Sequence, residues 1–356
     1  MNNLFGNVRK EYIFDIFNTA IDNSPTTRRA VSDATGLSFV TVGRVANALV
    51  ELNILKQAHT YDKVQKRRSR VLSTKSYYWM GIYALAKDRF TFSIRDLSLR
   101  CIDTYTFFPN DSLFIDDQIV SFFKNAEFFA LSKKYYSERC IGTAVLVPGE
   151  YSPTNDAVSS KSFYGLNTLR LKETIRPYCF KTEPYVVSAY SAFIERLRSN
   201  LTPTETLFSL FLNKENILGA YITPFDKGAV KLINTGELSA CAYKSLDTVS
   251  KTAPDPDLFF DKIADIIFTM CHTVPVSRIC VCGDLYSDFS AVSSFLYSSL
   301  ANKFNSKKKI PPEVTGFDLY SLSEETISRE MRTVWFCTEF VEEDFAKLLT
   351  KSLNLI

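Results

Sequence analysis

Residues 27–55 read TRRAVSDATGLSFVTVGRVANALVELNIL, and two short helical patterns meet within them at Thr35-Gly36-Leu37-Ser38. In the second pattern Val42, Val45, Ala46 and Leu49 recur at i, i+3, i+4 and i+7, the period of a helix with one buried face. Gly36 has no side chain to oppose a tight turn, and Ser38 is placed to cap the helix that follows. The other face of that helix carries Phe39, Thr41, Arg44 and Asn47, all able to meet a nucleic-acid surface. The spacing predicts a helix-turn-helix with its recognition helix at about residues 38–53.

The flanks extend this pattern. Residues 8–22 predict a helix with Ile13, Ile16, Phe17, Ala20 and Ile21 on one face, broken by Asn23-Ser24-Pro25-Thr26. Ile54 to His59 reads as a strand, residues 60–68 as a polar, basic tip, and Ser69 to Ser73 as a returning strand. Three helices and a basic hairpin predict a winged helix-turn-helix over residues 1–75. The charge agrees. Residues 1–75 carry 12 basic and 6 acidic side chains, against 30 and 33 in the remainder, so the excess of positive charge sits where phosphates would be met.

Candidate DNA contacts follow from the geometry of such helices. Arg44 suits a bidentate contact with guanine, while Ser38 and Thr41 suit a phosphate or a base edge. Phe39 fits either a thymine methyl or the core. Arg28 and Arg29 open the second helix, where they meet phosphates or stay solvated. Lys66, Arg67, Arg68 and Arg70 on the wing are placed for phosphates or a narrow minor groove, although a charge run also serves as plain solvated surface. The expected partner is double-stranded DNA, bound at a two-fold symmetric site by a homodimer.

The chain of 356 residues is too long for such a module alone and fits two or three domains. From Tyr77 onward strand-like and helical runs alternate, which predicts an α/β body in two lobes, residues 76–198 and 199–356, with a break near 195–205. No internal repeat stands out. A closing helix is expected at residues 341–352, with Phe345, Leu348 and Leu349 on one face. The eight cysteines are scattered through apolar runs without a framework spacing, as free thiols in a reducing compartment would be. The start lacks a signal-peptide core, and no uncharged apolar run reaches the length of a membrane span, so a cytoplasmic protein with no membrane partner is expected.

The order of these segments resembles the ROK family, which groups repressors and sugar kinases on a two-lobed, actin-like (ribonuclease-H-like) ATPase fold. Its repressors carry a winged helix-turn-helix ahead of the kinase-like body. The stretch TGLSFVTVGRVANALVELNIL (35–55) is similar to the family's recognition-helix segment, and KRRSRVL (66–72) to its wing. In the body, YWMGIYAL (78–85) resembles the first kinase strand, GTAVLVPGEY (142–151) the strand ending in Val-Pro-Gly, and INTGELSA (233–240) the sugar-contacting segment. RICVCGDLYSDF (278–289) resembles the strand and loop near the nucleotide.

Phosphoryl transfer needs a phosphate loop, a carboxylate that holds metal and a base for the sugar hydroxyl. By this resemblance Tyr83 stands at the position of the first-strand Asp, and Val187 at the position of the catalytic Asp. The family's zinc histidine falls on Ala240, and Cys280-Val281-Cys282-Gly283 imitates only the start of its cysteine run. No catalytic residues, cofactor or metal are therefore expected. Glu237 is the one polar sugar-site residue that survives, so the resemblance implies a sugar or sugar-phosphate effector held there, with a plain turn as the other reading. The expected function is that of a sequence-specific transcriptional regulator, a repressor by the resemblance, with a non-catalytic sensor and dimerisation body. The alternative is an active sugar kinase with a fused DNA-binding head.

Overall fold

The computed structural model describes residues 4–62, 67–110, 114–160, 163–180, 182–212, 217–222, 232–233, 256–273, 276–283, 289–307 and 309–341. Three helices come first: α1 (Lys10–Asp22), α2 (Arg28–Thr35) and α3 (Phe39–Glu51). The strand β1 (Thr26–Thr27) lies between α1 and α2, and β2 (Leu55–Asp62) and β3 (Arg67–Thr74) follow α3. Local chemistry sets each boundary. Thr27 caps α2 by accepting from the Ala30 amide at 3.1 Å, and Ser38 caps α3 by accepting from the Thr41 amide at 3.2 Å. Between them Gly36 takes φ 69°, the left-handed conformation that lets α2 end abruptly.

The predicted stripes are buried: Ile13, Ile16, Phe17, Ala20 and Ile21 on α1 pack with Val42, Val45, Ala46 and Leu49 on α3. The hairpin β2–β3 closes the other side through Leu55 and Leu72.

Next comes β4 (Trp79–Leu85), β5 (Phe90–Asp96) and β6 (Cys101–Phe107), an antiparallel meander. After α4 (Ile115–Lys124) and α5 (Ala126–Lys134), β7 (Cys140–Val147) pairs parallel to β4. A small hairpin, β8 (Glu150–Ser152) and β9 (Ala157–Ser159), and α6 (Leu171–Ile175) lead to β10 (Pro184–Ser188), parallel to β7. The sheet order is β10-β7-β4-β5-β6.

Helix α7 (Ala189–Arg198) then crosses to a second sheet of β11 (Leu207–Leu212), β12 (Ile217–Ile222) and β13 (Leu232–Ile233). Helix α8 (Pro256–Thr273), β14 (Arg278–Gly283), α9 (Phe289–Asn305), β15 (Glu313–Gly316) and α10 (Leu319–Phe336) complete the described chain. This sheet runs β13-β12-β11-β14-β15.

The two sheets have one topology. In each, the first three strands form an antiparallel meander, and the fourth and fifth add parallel on the free side of the first. The body is thus a structural duplication, although its sequence shows no repeat. Strand order rests on hydrogen bonds between backbones, and many apolar sequences satisfy it equally well.

Four apolar cores follow. An aromatic cluster fills one face of the first sheet beneath α4 and α5. Helix α7 lies between the two sheets, with Phe193 against Phe211 and with Ala84 and Leu146 in the same core. Helices α8 and α9 cover the far face of the second sheet, and the front helices form the fourth core.

The lobe assignment of residues 199–356 needs correction at α10. This helix leaves the second sheet and returns to the first: Glu324 accepts from Arg95 Nη2 at 2.7 Å and from Ser93 Oγ at 3.0 Å on β5. It then reaches the front helices. Phe336 stacks on Phe17 with ring centroids 3.6 Å apart, and Arg332, 1% exposed, donates to Asp22 at 2.9 Å and to the Leu97 carbonyl at 2.9 Å. Met80, Leu97 and Phe336 therefore share one core with α1 and α3. The closing helix expected at 341–352 falls outside the described residues apart from Val341, which ends a helical turn after α10.

Candidate nucleic-acid interface

Helix α3 is built from its buried stripe outward. Anchored at Val42, Val45, Ala46 and Leu49, it turns its first residues away from the protein: Phe39 is 52% exposed and Val40 73%. Phe39 is thus not part of the core. Val40 was missed from the sequence, although an apolar residue lying off the buried stripe was the signal for it. Arg44, one turn on, is exposed on the same side. Its guanidinium runs beside the N-terminal segment, where a Cβ at Gly6 would stand 3.6 Å from its Nη1.

Ser38 and Thr41 are engaged in the cap. Their hydroxyls lie 2.9 Å apart, which fixes the start of α3 and leaves the remaining hydroxyl valence at the surface. Neither α2 nor α3 has an acidic residue in its first turn, so the positive ends of both helix dipoles stay unneutralised.

The two arginines of α2 differ. Arg29 is exposed and forms a surface pair with Asp33, 3.1 Å away. Arg28 is half-buried and lies across α3: its Nη2 donates to Asn47 at 2.6 Å and to Gln57 at 2.7 Å. It ties α2, α3 and β2 together, so it corrects the picture of a free phosphate contact, and it also occupies Asn47. Burial first, and the neighbouring Arg70 second, lower the pKa of this guanidinium from its ordinary value. Arg70 is exposed on β3 and adds its charge to the same region. Lys66 lies outside the described residues, and of Arg67 and Arg68 only the backbone of β3 is described.

The positions that a kinase would keep for chemistry are occupied otherwise. Tyr83 on β4 is fully buried in the aromatic cluster, stacked on Phe92 at 4.6 Å and meeting Phe123 edge-on at 5.4 Å. Its hydroxyl donates to the Tyr178 carbonyl at 2.8 Å, and burial pushes its pKa well up. Val187 is the last residue but one of β10, paired with Leu146. Cys280 and Cys282, two residues apart on β14, both enter the core between the sheets, where burial pushes the Cys280 thiol up to about 12 and the Cys282 thiol well up from its ordinary value. Glu237 and Ala240 lie outside the described residues.

No family model matches this chain, and no curated protein sequence matches it. Solved structures do. A ROK family transcriptional regulator described as a homolog of the E. coli MLC protein superposes with a TM-score of 0.57 at 11% identity, over 97% of this chain and 99% of that one. The chain shares the fold of that solved ROK family structure. Because the match spans 97% of the chain, it takes in the front helices together with the α/β body. A ROK family protein from Streptococcus pneumoniae in complex with sucrose gives a TM-score of 0.45 at 10% identity over 73% of this chain and 99% of that one. A ROK family glucokinase from Streptomyces griseus in complex with glucose and AMPPNP gives 0.46 at 10% identity over 71% and 98%. No described helix is long and apolar enough to cross a membrane.

Proposed function

We propose that this chain is a sequence-specific, DNA-binding transcriptional regulator, a repressor, with a winged helix-turn-helix head over residues 1–75 and a non-catalytic body. The observation that carries the reading is the start of α3: an apolar pair, Phe39 and Val40, held bare beside the exposed Arg44 on a helix whose other face is fully locked. A major groove offers thymine methyls to the first two and a guanine edge to the third. The unneutralised helix ends, Arg29 and Arg70 supply positive charge for phosphates around them, and Lys66, Arg67 and Arg68 extend it along the wing. In the body, an aromatic core at Tyr83 and a valine at position 187 support a role in sensing and pairing instead of phosphoryl transfer. The body would pair two chains on a two-fold operator, with a sugar or sugar-phosphate effector held near Glu237 between the lobes. Effector binding would change lobe closure and so the spacing of the two heads.

Fluorescence anisotropy with a random-sequence duplex pool tests this reading. Affinity should fall steeply with salt, by a slope of about 0.9 per phosphate neutralised, and selection should enrich a palindromic site. Absence of binding to any duplex at low salt rejects the proposal. A coupled ATPase assay over a sugar panel should show no turnover.

A further inference from the structure

Helix α10 holds the front helices with Arg332 and Phe336. Another of its faces, carrying Glu330, Met331, Val334 and Trp335, lines a cavity of about 420 Å³. The opposite wall is the first sheet at the beginnings of β7 and β10, including Gly142 and Tyr185. A Cβ at Gly142 would come within 2.7 Å of the Met331 side chain, so glycine there lets α10 pack this close to the sheet. At the start of β10 the cavity is lined by Glu183 and Tyr185, and Val187 is not among its lining residues. Its volume is that of a small-molecule site.

The lining selects by charge. It includes three carboxylates, Glu183, Glu330 and Glu339, and no lysine, arginine or histidine. Glu183 is paired with Arg176 and with Lys172 at 3.8 Å. Among the described residues no basic side chain pairs with Glu330 or Glu339. Trp335 is fixed by Tyr78, ring centroids 4.7 Å apart, and by Phe340 at 5.3 Å, so it presents a rigid ring. Carboxylates beside aromatic rings exclude an anion and favour a cation with an apolar body, which gains from the ring faces as well as from the charge.

We propose that this cavity binds a small organic cation, an ammonium on an apolar or aromatic body, with Glu330 as its counter-ion and Trp335 and Tyr185 as its walls, and that occupancy is reported to the DNA-binding face through α10. The regulatory half rests on the DNA-binding reading; the site itself does not. The ligand would touch Glu330 and Met331, which directly precede Arg332 in the chain, so a change in the seating of α10 acts directly on α1.

Proton linkage gives the site a signature. Burial, and second the carboxylate of Glu195 on α7, push the Glu330 carboxyl up to about 8. Glu195 is itself paired with Arg198, Tyr185 on β10 is held protonated by burial and by Glu330, and Cys140 at the start of β7 is pushed up to about 11. Glu183 and Glu339 also face the cavity. At pH 7 the cation therefore meets a protonated Glu330 and displaces its proton, and affinity rises with pH toward about 8.

Calorimetric titration of the full chain with phenethylammonium, hexylammonium and choline, with 2-phenylethanol and phenylacetate as neutral and anionic controls, tests the site. At least one cation should bind where both controls fail, with proton release detected by comparing buffers of different ionisation heats. Glu330→Gln should lower the affinity at least tenfold and abolish the proton release. Trp335→Leu, checked for an unchanged melting temperature, should lower it severalfold. Cations that bind no better than the controls, or equally well to Glu330→Gln, overturn the site. For the regulatory half, saturating cation should change affinity for a duplex selected on this chain at least threefold; an unchanged affinity overturns that half. A ligand-free chain that binds no DNA defeats the DNA-binding reading and leaves the calorimetric result standing by itself.

Discussion

Helix α3 and strand β4 treat their side chains in opposite ways. The start of α3 leaves Phe39 and Val40 in solvent although α3 has a complete buried face of its own. Strand β4 takes Tyr83, a residue with a polar end, and buries it completely, meeting its hydroxyl with a carbonyl from a residue 95 positions away. Apolar groups left bare beside an arginine mark a surface kept for contact. A polar group buried with its partner belongs to the core. The head leaves apolar surface bare; the first lobe packs Tyr83 away.

The largest test of this contrast is at Tyr83. Tyr83→Ala empties a space among Phe92, Phe122, Phe123 and Phe128, and chemical denaturation should show a loss of roughly 3–5 kcal/mol. Tyr83→Asp should be at least as damaging, because the carboxylate would be buried without a cation, and should produce no sugar phosphorylation. A stable Tyr83→Asp protein with kinase activity would reverse the reading of the body. Next comes Arg44→Ala, which should reduce discrimination between operator bases by about 1–3 kcal/mol while leaving the melting temperature nearly unchanged. Competition with single-base variants measures it; an equal loss on all sequences would make Arg44 a phosphate contact.

Ser38→Ala removes the α3 cap and should cost about 1 kcal/mol of stability, with Ser38→Asp recovering it because a carboxylate caps equally well. The smallest effect sharpens the comparison most. Val40→Ser should alter stability by no more than about 0.5 kcal/mol, as for a surface substitution, yet weaken DNA binding measurably in the same anisotropy assay. Val40→Ser with undiminished DNA binding would show that the bare turn is not part of the interface.

Much of the head was legible. The stripes of α1 and α3, the turn at Gly36 and the cap at Ser38 are local, and periodicity reports them directly. In the body the alternation of strands and helices from Tyr77 onward was legible. Helix α8 was passed over although Phe260, Ile263, Ala264 and Ile267 carry a helical stripe and are buried. The partners of helix α10 were not read at all. Its buried side chains include Glu324 and Arg332, polar groups that leave no apolar signal and are satisfied by distant partners.

The sequence by itself determined which face of α3 is core and where its helix begins. Those are properties of residues within a few positions of each other, or of one residue at a time. Only the tertiary structure decided that Arg28 is a tie among Asn47, Gln57 and α2, that the two sheets share one strand order, and that α10 fastens the front helices to the first lobe. Each of these joins groups far apart in the chain through directional polar contacts or backbone pairing, and neither leaves a period in the sequence.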